Sequence, residues 1–255
     1  MGRLKVVIIP GSGGTGESFW QQEQAFPGVA FGVSLPGHPD GELLETIDEC
    51  ARWIHDEHIP SQGWRAEDVI VGGNSIGAGV ALAYGLMYPE APGIISLGGG
   101  SRLRVAFQGL AARRRQLAAL GTGQPLPQGQ GRGGQQQEEG GGRVAPEEIR
   151  RRQADKSAKM GPYPGLNDLL ACDRFDITDR VHEIKVPALI IVGTTDTQTP
   201  QKYSELLHEK LPGSKLIVIE GAGHGTAGER PDIVNPAIAE FMAAIEAKEV
   251  AAARA

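Results

Sequence analysis

Three short stretches of this 255-residue chain carry side chains that together could move an acyl group. In the first, Gly73-Asn74-Ser75-Ile76-Gly77 follows the apolar run Val69-Ile70-Val71-Gly72. Glycines on either side of Ser75 leave room for a sharp strand-to-helix turn that projects the hydroxyl and aims the Ile76 amide at developing negative charge. A serine hydroxyl is a poor nucleophile at neutral pH, so this chemistry needs an imidazole base and a carboxylate to orient it. Asp196 follows the apolar run Ala188-Leu189-Ile190-Ile191-Val192, and His224 lies in Glu220-Gly221-Ala222-Gly223-His224-Gly225 after Leu216-Ile217-Val218-Ile219. Each has a plainer role: a capping serine, a turn aspartate, a solvated histidine. Their common placement just beyond apolar runs, in the order Ser, Asp, His, favours the chemical one.

A fourth stretch, Gly11-Ser12-Gly13-Gly14-Thr15-Gly16-Glu17-Ser18 after Val6-Val7-Ile8-Ile9-Pro10, supports three readings. Gly11, Gly13 and Gly16 fit the G-x-G-x-x-G turn that approaches a dinucleotide pyrophosphate. The acidic residue expected at the next strand end is missing there, because that run closes in Ser34-Leu35-Pro36, and no Tyr-x-x-x-Lys occurs. As a phosphate-binding G-x-x-x-x-G-K-[ST] loop it fails at Glu17, whose charge repels phosphate where a lysine is needed. As a glycine-rich loop offering backbone N–H groups to an oxyanion it needs no positive charge.

These residues require elements to hold them. Short apolar runs at 6–9, 29–35, 69–72, 93–97, 188–192 and 216–219 alternate with segments of helical period at 17–24, 41–58, 76–88, 201–211 and 231–247, as in a parallel sheet flanked by helices. Leu43, Leu44, Ile47, Ala51 and Ile54 form one apolar stripe in the second of these helices. An open parallel sheet binds ligands at the carboxyl ends of its strands, where the candidate residues lie.

Composition narrows the class. With 25 Lys and Arg against 31 Asp and Glu the formal charge is −6, which argues against a general nucleic-acid binder. The chain is long enough to bury a core without staples, so Cys50 and Cys172 read as buried thiols. No apolar run approaches membrane length, and a cytoplasmic location is the expectation. Residues 121–142 hold nine glycines and six glutamines in twenty-two positions and are expected to form a mobile, low-complexity insertion. Between residues 101 and 160 twelve basic side chains face five acidic ones, net +7, leaving −13 elsewhere. The Arg113–Arg115 and Arg150–Arg152 runs read as solvated helix faces, or as a basic cover favouring anionic ligands.

Taken together, Gly73 to Gly77, Val186-Pro187 through Asp196, and Gly221-Ala222-Gly223-His224 resemble the α/β-hydrolase superfamily, as does Leu35-Pro36-Gly37-His38-Pro39 at a strand-end turn. The resemblance covers nearly the whole chain outside 121–142. It implies an α/β fold with about six mostly parallel strands, helices on both faces, and a helical cap inserted at 102–170 between core parts 1–101 and 171–255. It also implies hydrolysis without a cofactor or metal. Carried over by position, Ser75 attacks a small ester, His224 serves as base and then acid, and Asp196 orients the ring. The Ser12 and Ile76 amides form the oxyanion hole. Gly11, Gly13, Asn74 and Tyr163 are the expected substrate contacts, with Tyr163, Pro164 and Leu166 as candidates for the acyl pocket. Pro10 stands where the family usually has histidine, and Ser34 where it usually has aspartate.

The leaving group does not follow from the triad: lactone, amide, carbon-carbon and perhydrolysis chemistries use the same constellation. A receptor-like protein with slow turnover and an NAD(P)-binding oxidoreductase are the readings from other classes. Among remaining residues, His55 and His58 read as a solvated helix face rather than a metal site, His38 as a turn histidine, Cys172 as packing, and Trp20, Trp53 and Trp64 as core anchors. The segment 160–170 reads equally as acyl-pocket lining or as a packed loop, and oligomeric state is not encoded in any recognisable pattern.

Overall fold

The structure, a computed structural model, describes residues 4–104 and 145–252. Six parallel strands form one sheet: β1 (Lys5–Ile9), β2 (Ala30–Gly32), β3 (Val69–Asn74), β4 (Ile94–Leu97), β5 (Ala188–Gly193) and β6 (Lys215–Ile219). Their spatial order is β2-β1-β3-β4-β5-β6. The chain winds one way from β1 to β2 and the other way from β3 onward, so the topological switch point falls between β1 and β3. Register pairs Ile9 with Gly73, bringing the Gly11 loop and the Ser75 turn side by side at the carboxyl ends.

Both faces of the sheet are covered, which is why β3 and β5 read as unbroken apolar runs rather than alternating ones. Alternation survives in where the side chains go. Val7, Ile9, Val71, Ile94 and Ile190 pack on the face covered by α2 (Ile47–Trp53) and α3 (Ile76–Met87). Val6, Ile8, Ile70, Ile95, Leu189 and Ile191 pack on the other, against Val234, Ile238 and Phe241 of the long C-terminal helix Pro231–Ala252. Every residue of α3 from Ile76 to Gly85 is buried, so this helix is apolar all round instead of striped.

Several expected boundaries move. The helix predicted over 41–58 begins at Ile47, because Thr46 and Glu49 form a reciprocal capping box that fixes the start there. Leu43 and Leu44 therefore belong to the preceding loop. The helix continues beyond α2 through a π turn at Ile54–His58 and a last turn at Ile59–Ser61. The strand predicted over 29–35 shortens to Ala30–Gly32: the chain parts from the edge where the Ser34 hydroxyl takes the Gly16 amide. Before α1 (Trp20–Ala25), the start of the predicted first helix is a 3-10 turn, Gly16–Phe19.

In the region predicted as a cap, the basic run at 113–115 and the segment 121–142 lie outside the described residues. The described remainder contains α4 (Glu147–Met160) and α5 (Tyr163–Arg174), so most of the segment 160–170, for which a packed loop is one of the two readings, is helical. The expected boundary at residue 170 falls inside α5. Departing and returning chain are pinned together by a bridge between Arg102 and Asp176, with the Ile177 amide donating to the Ser101 carbonyl at 2.8 Å. After β5 come α6 (Gln201–Lys210), then β6, α7 (Thr226–Glu229) and α8 (Pro231–Ala252). No described helix is long and apolar enough to cross a membrane.

Candidate active site

Ser75 caps β3 with φ 58°, the only described residue other than glycine in the left-handed region. Such a conformation costs on the order of 1 to 3 kcal/mol and persists only where the surroundings enforce it. The surroundings are visible in the two glycines. A Cβ on Gly73 would sit 2.5 Å from the Gly77 carbonyl carbon, and one on Gly77 would sit 2.2 Å from the Ile9 carbonyl oxygen. Helix α3 thus starts in contact with both β1 and β3, and only the absence of side chains allows it. The Ile76 amide lies at the first turn of α3, where helical N–H groups have no intrahelical acceptor.

Gly11 lies against this turn: its ideal Cβ would come 3.5 Å from the Ser75 Cβ. The Gly14 amide donates to the Gly11 carbonyl at 2.8 Å, closing a turn around Ser12 and Gly13, with Gly13 at φ +70°. Gly16 has a different reason to be glycine, since its Cβ would strike the Gly32 carbonyl oxygen of β2. Two of the three glycines that match a dinucleotide-binding pattern, Gly13 and Gly16, are therefore demanded by the local conformation and packing of this chain. The Ser12 hydroxyl is buried without a strong hydrogen-bond partner and faces the Cys172 thiol.

On the far side of β4, Asp196 and His224 meet. His224 Nδ1 lies 2.8 Å from Asp196 Oδ2. The other carboxylate oxygen accepts the Gln198 and Thr199 amides at 2.8 and 2.9 Å. Thr199 Oγ1 is within hydrogen-bond distance of the Gly98 carbonyl, Asp196 Oδ2 and His224 Nδ1. Burial by itself would raise the Asp196 carboxyl, but the bonds and charge of His224 and Thr199 outweigh it and hold the group below its ordinary range. Gly98, at φ +51°, packs where a Cβ would come 3.1 Å from Asp196 Oδ2. The two loops are stitched together by Thr195, whose hydroxyl donates to the Ala222 carbonyl, and by Thr194, whose hydroxyl accepts the Gly221 amide. Glu229 of α7 accepts the amides on both sides of His224, Gly223 at 2.6 Å and Gly225 at 3.0 Å.

Asn74 links the two halves. With its amide oriented to suit its neighbours, the side chain donates to the His224 carbonyl at 2.9 Å. The described hydrogen bonds of the His224 ring go to Asp196 and Thr199, and none reaches Ser75. Free-enzyme geometry of this kind commonly tightens only around substrate. Tyr163 stands at the start of α5, about half exposed.

His38 sits in the turn after β2, its backbone N–H donating to the Leu35 carbonyl, but it is more than a plain turn histidine. It is buried, with Nδ1 3.1 Å from the Pro36 carbonyl and Nε2 2.9 Å from Asp168 Oδ2 of α5. His55 bridges Asp56 and Glu90 and stacks on Tyr88, while Trp53 and Trp64 pack against the core from partly buried positions. A cleft of about 560 Å³ opens along the turn after β2, lined by Leu35, His38, Glu42, Trp53, Glu57 and Lys156, and touches none of Ser75, Asp196 or His224.

A serine on a strained strand-to-helix turn at the switch point, with a histidine–carboxylate pair beyond the later strands, defines a class, and the chain's sequence agrees. The chain belongs to the alpha/beta hydrolase family, whose sequence profile matches residues 6–237. It is 27% identical over 252 residues, 94% of this chain and 91% of the relative, to the protein named "Putative carbamate hydrolase RutD" of Escherichia coli O103:H2. Among solved structures, a thermophilic esterase superposes with a TM-score of 0.67 at 27% identity, covering 94% of this chain and 90% of its own. A hydrolase from Pseudomonas aeruginosa PA01 gives a TM-score of 0.71 at 19% identity, over 95% and 91%, a likeness of fold. Family membership displaces the dinucleotide-binding reading of the Gly11 loop.

Sequence reasoning passed over Thr199, Gly98, Glu229 and Asp168. Only Asp168 had a legible signal, a lone carboxylate in the apolar helical run Leu166-Asn167-Asp168-Leu169-Leu170-Ala171.

Proposed function

We propose that this hydrolase cleaves a small carboxylic ester by way of an acyl-enzyme. Ser75 attacks the carbonyl carbon as His224 takes the hydroxyl proton. Asp196 holds the ring so that Nδ1 keeps its proton and Nε2 is the basic nitrogen. The Ser12 and Ile76 amides receive the negative charge on the carbonyl oxygen, each worth about 3 kcal/mol in the transition state. His224 then protonates the leaving alcohol, and a water deprotonated by the same ring releases the acid. Gly11, Gly13, Asn74 and Tyr163 are the proposed contacts around the substrate.

The observation that supports this reading most is the positive φ of Ser75 on a turn wedged between Ile9 and Gly73, strain that a merely capping serine would not require. The ester preference draws on the thermophilic esterase likeness, and carbamates belong in the panel because of the name borne by the RutD relative. Fluorophosphonate labelling, followed by chromogenic esters of graded chain length with matching carbamates and lactones, tests it. Labelling and turnover are expected to vanish in Ser75→Ala, with kcat down on the order of 10⁶-fold. Well-folded wild type that neither labels nor turns over any of these would sink the reading in favour of a binding protein.

A further inference from the structure

His38 and Asp168 form a buried pair that the reaction above leaves unused, both under 5% exposed. Each ring nitrogen of His38 faces an acceptor: the Pro36 carbonyl at Nδ1, the Asp168 carboxylate at Nε2. A neutral imidazole has one N–H, so it would leave a lone pair against oxygen on one side. The geometry therefore fits a ring protonated at both nitrogens, donating to the Pro36 carbonyl and to Asp168. Other groups nearby do not substitute for His38. The thiols of Cys50 and Cys172 feel the Asp168 charge, but burial pushes both up to about 12, so they stay neutral. The cleft that His38 borders carries Asp40, Glu42 and Glu57, and its Lys156 is paired with Glu17.

The same oxygen, Asp168 Oδ2, also accepts the Gly13 amide at 2.8 Å. Gly13 is the third residue of the Gly11–Gly14 turn, with positive φ and the Gly14 N–H bonded back to Gly11. In such a turn the central peptide, Ser12–Gly13, is free to flip unless its N–H is held, and a flip exchanges one turn type for another and disturbs the adjoining Gly11–Ser12 peptide that carries the Ser12 N–H. Helix α5 is flush with the loop: a Cβ on Gly13 would lie 3.3 Å from the Gly165 Cα.

We propose that Asp168, braced by its hydrogen bond to His38, is a positioning residue that locks the Gly11–Gly14 turn and so keeps the Ser12 amide aimed at the developing oxyanion. This rests on the assignment of Ser75 and Ser12 made above. It makes α5 part of the catalytic apparatus as a support, beyond any part in binding substrate. Burial would lower the affinity of His38 for its proton, but the hydrogen bond and charge of Asp168 outweigh it and raise that affinity, so His38 keeps its charge at neutral pH and the pair loosens as pH rises through the raised value.

The test combines kinetics on a chromogenic ester with NMR of His38 and the Gly13 amide in wild type, Asp168→Asn, Asp168→Ala and His38→Gln. Asp168→Asn can still accept the Gly13 amide through Oδ1, placed where the shared oxygen also faces His38 Nε2, but it carries no charge to hold the His38 proton. Removing the lock in Asp168→Ala is expected to lower kcat on the order of 10²-fold with KM nearly unchanged, the size of effect that a small misplacement produces. Asp168→Asn is expected to recover most of the loss, and to abolish an alkaline fall in kcat that wild type shows as His38 loses its proton. His38→Gln should share that flattened alkaline limb. A folded Asp168→Ala with wild-type kcat and pH profile overturns the proposal, as does a wild-type His38 that is neutral below pH ~6. Should Asp168→Ala fail to fold, an alkaline limb persisting in Asp168→Asn overturns it as well. The NMR signatures are independent of turnover and can be read in Ser75→Ala, so failure of the lock is distinguishable from failure of the ester-hydrolase reading.

Discussion

At Asp196 the balance of forces is legible atom by atom. One oxygen is saturated by two backbone amides, which leaves the other to face His224, and Thr199 bridges both groups to the Gly98 carbonyl. A carboxyl held below its ordinary range stays ionised throughout the neutral region, so the orienting role proposed for Asp196 does not itself impose a pH limit there. Replacing it with Asn keeps the shape but favours the wrong imidazole tautomer, and kcat is expected to fall on the order of 10⁴-fold with little change in melting temperature. Linkage works in the same direction for stability. Because the folded value lies below the unfolded one, the contribution of Asp196 is complete above pH ~4 and disappears as pH falls through the lower folded value. Urea titrations from pH 7 down to pH 3 should show a smaller loss of stability in Asp196→Asn than in wild type. Equal slopes would mean that the carboxylate gains nothing from its neighbours on folding.

The elements are placed by close backbone contact more than by side-chain interlock. Helix α3 starts against β1 because Gly77 offers no Cβ to the Ile9 carbonyl, and β5 meets the histidine loop because a Cβ on Gly193 would overlap the Ala222 carbonyl oxygen. Gly77→Ala is therefore expected to destabilise the fold by about 3 kcal/mol or more, beyond the ordinary range for a single added methyl group. Chemical denaturation measures this directly, and a shift below about 1 kcal/mol would show that the turn can yield. The helix α7 works differently, through the Glu229 carboxylate gripping both amides around His224. Glu229→Gln loses one acceptor and turns an NH₂ toward an amide. It is expected to lower kcat with a smaller effect on KM, since a loosened loop misplaces the base without altering the substrate pocket.

Across the molecule, the two apolar layers on opposite faces of one sheet supply the bulk of the burial, and the polar contacts that cross between distant segments give the site its shape. The His38–Asp168 pair joins the turn after β2 to α5, and loss of one partner from a buried ion pair typically costs 3 to 5 kcal/mol. Its pH dependence is opposite to that of Asp196. The folded His38 value is raised, so its contribution is complete below pH ~6.5 and is lost as pH climbs through the higher folded value. Melting curves of wild type should decline on the alkaline side more steeply than those of His38→Gln, whose neutral amide has no proton to lose. Parallel curves would remove the charged pair from the account.

The strand ends, and with them Ser75, Asp196 and His224, were readable in one dimension because each sits at a break where an apolar run gives way to glycine. That pattern is imposed locally, by strand burial on two faces and by turns that exclude a Cβ. The glycines of the Gly11 loop were readable as glycines but not in purpose, since the groups that crowd them, Gly32 and Gly165, are distant along the chain. The start of the helix at Ile47 depended on a capping box that outweighed the apolar spacing of Leu43 and Leu44. The partnership of His38, Asp168 and Gly13 spans 130 and 155 residues. Beyond the lone carboxylate of Asp168 in its apolar run, nothing local marks the partnership, because such a pair is tolerable in the interior only once folding has brought both partners and their hydrogen bonds together. Local sterics thus determined where the candidate side chains stand, and long-range packing alone decided what holds them in line.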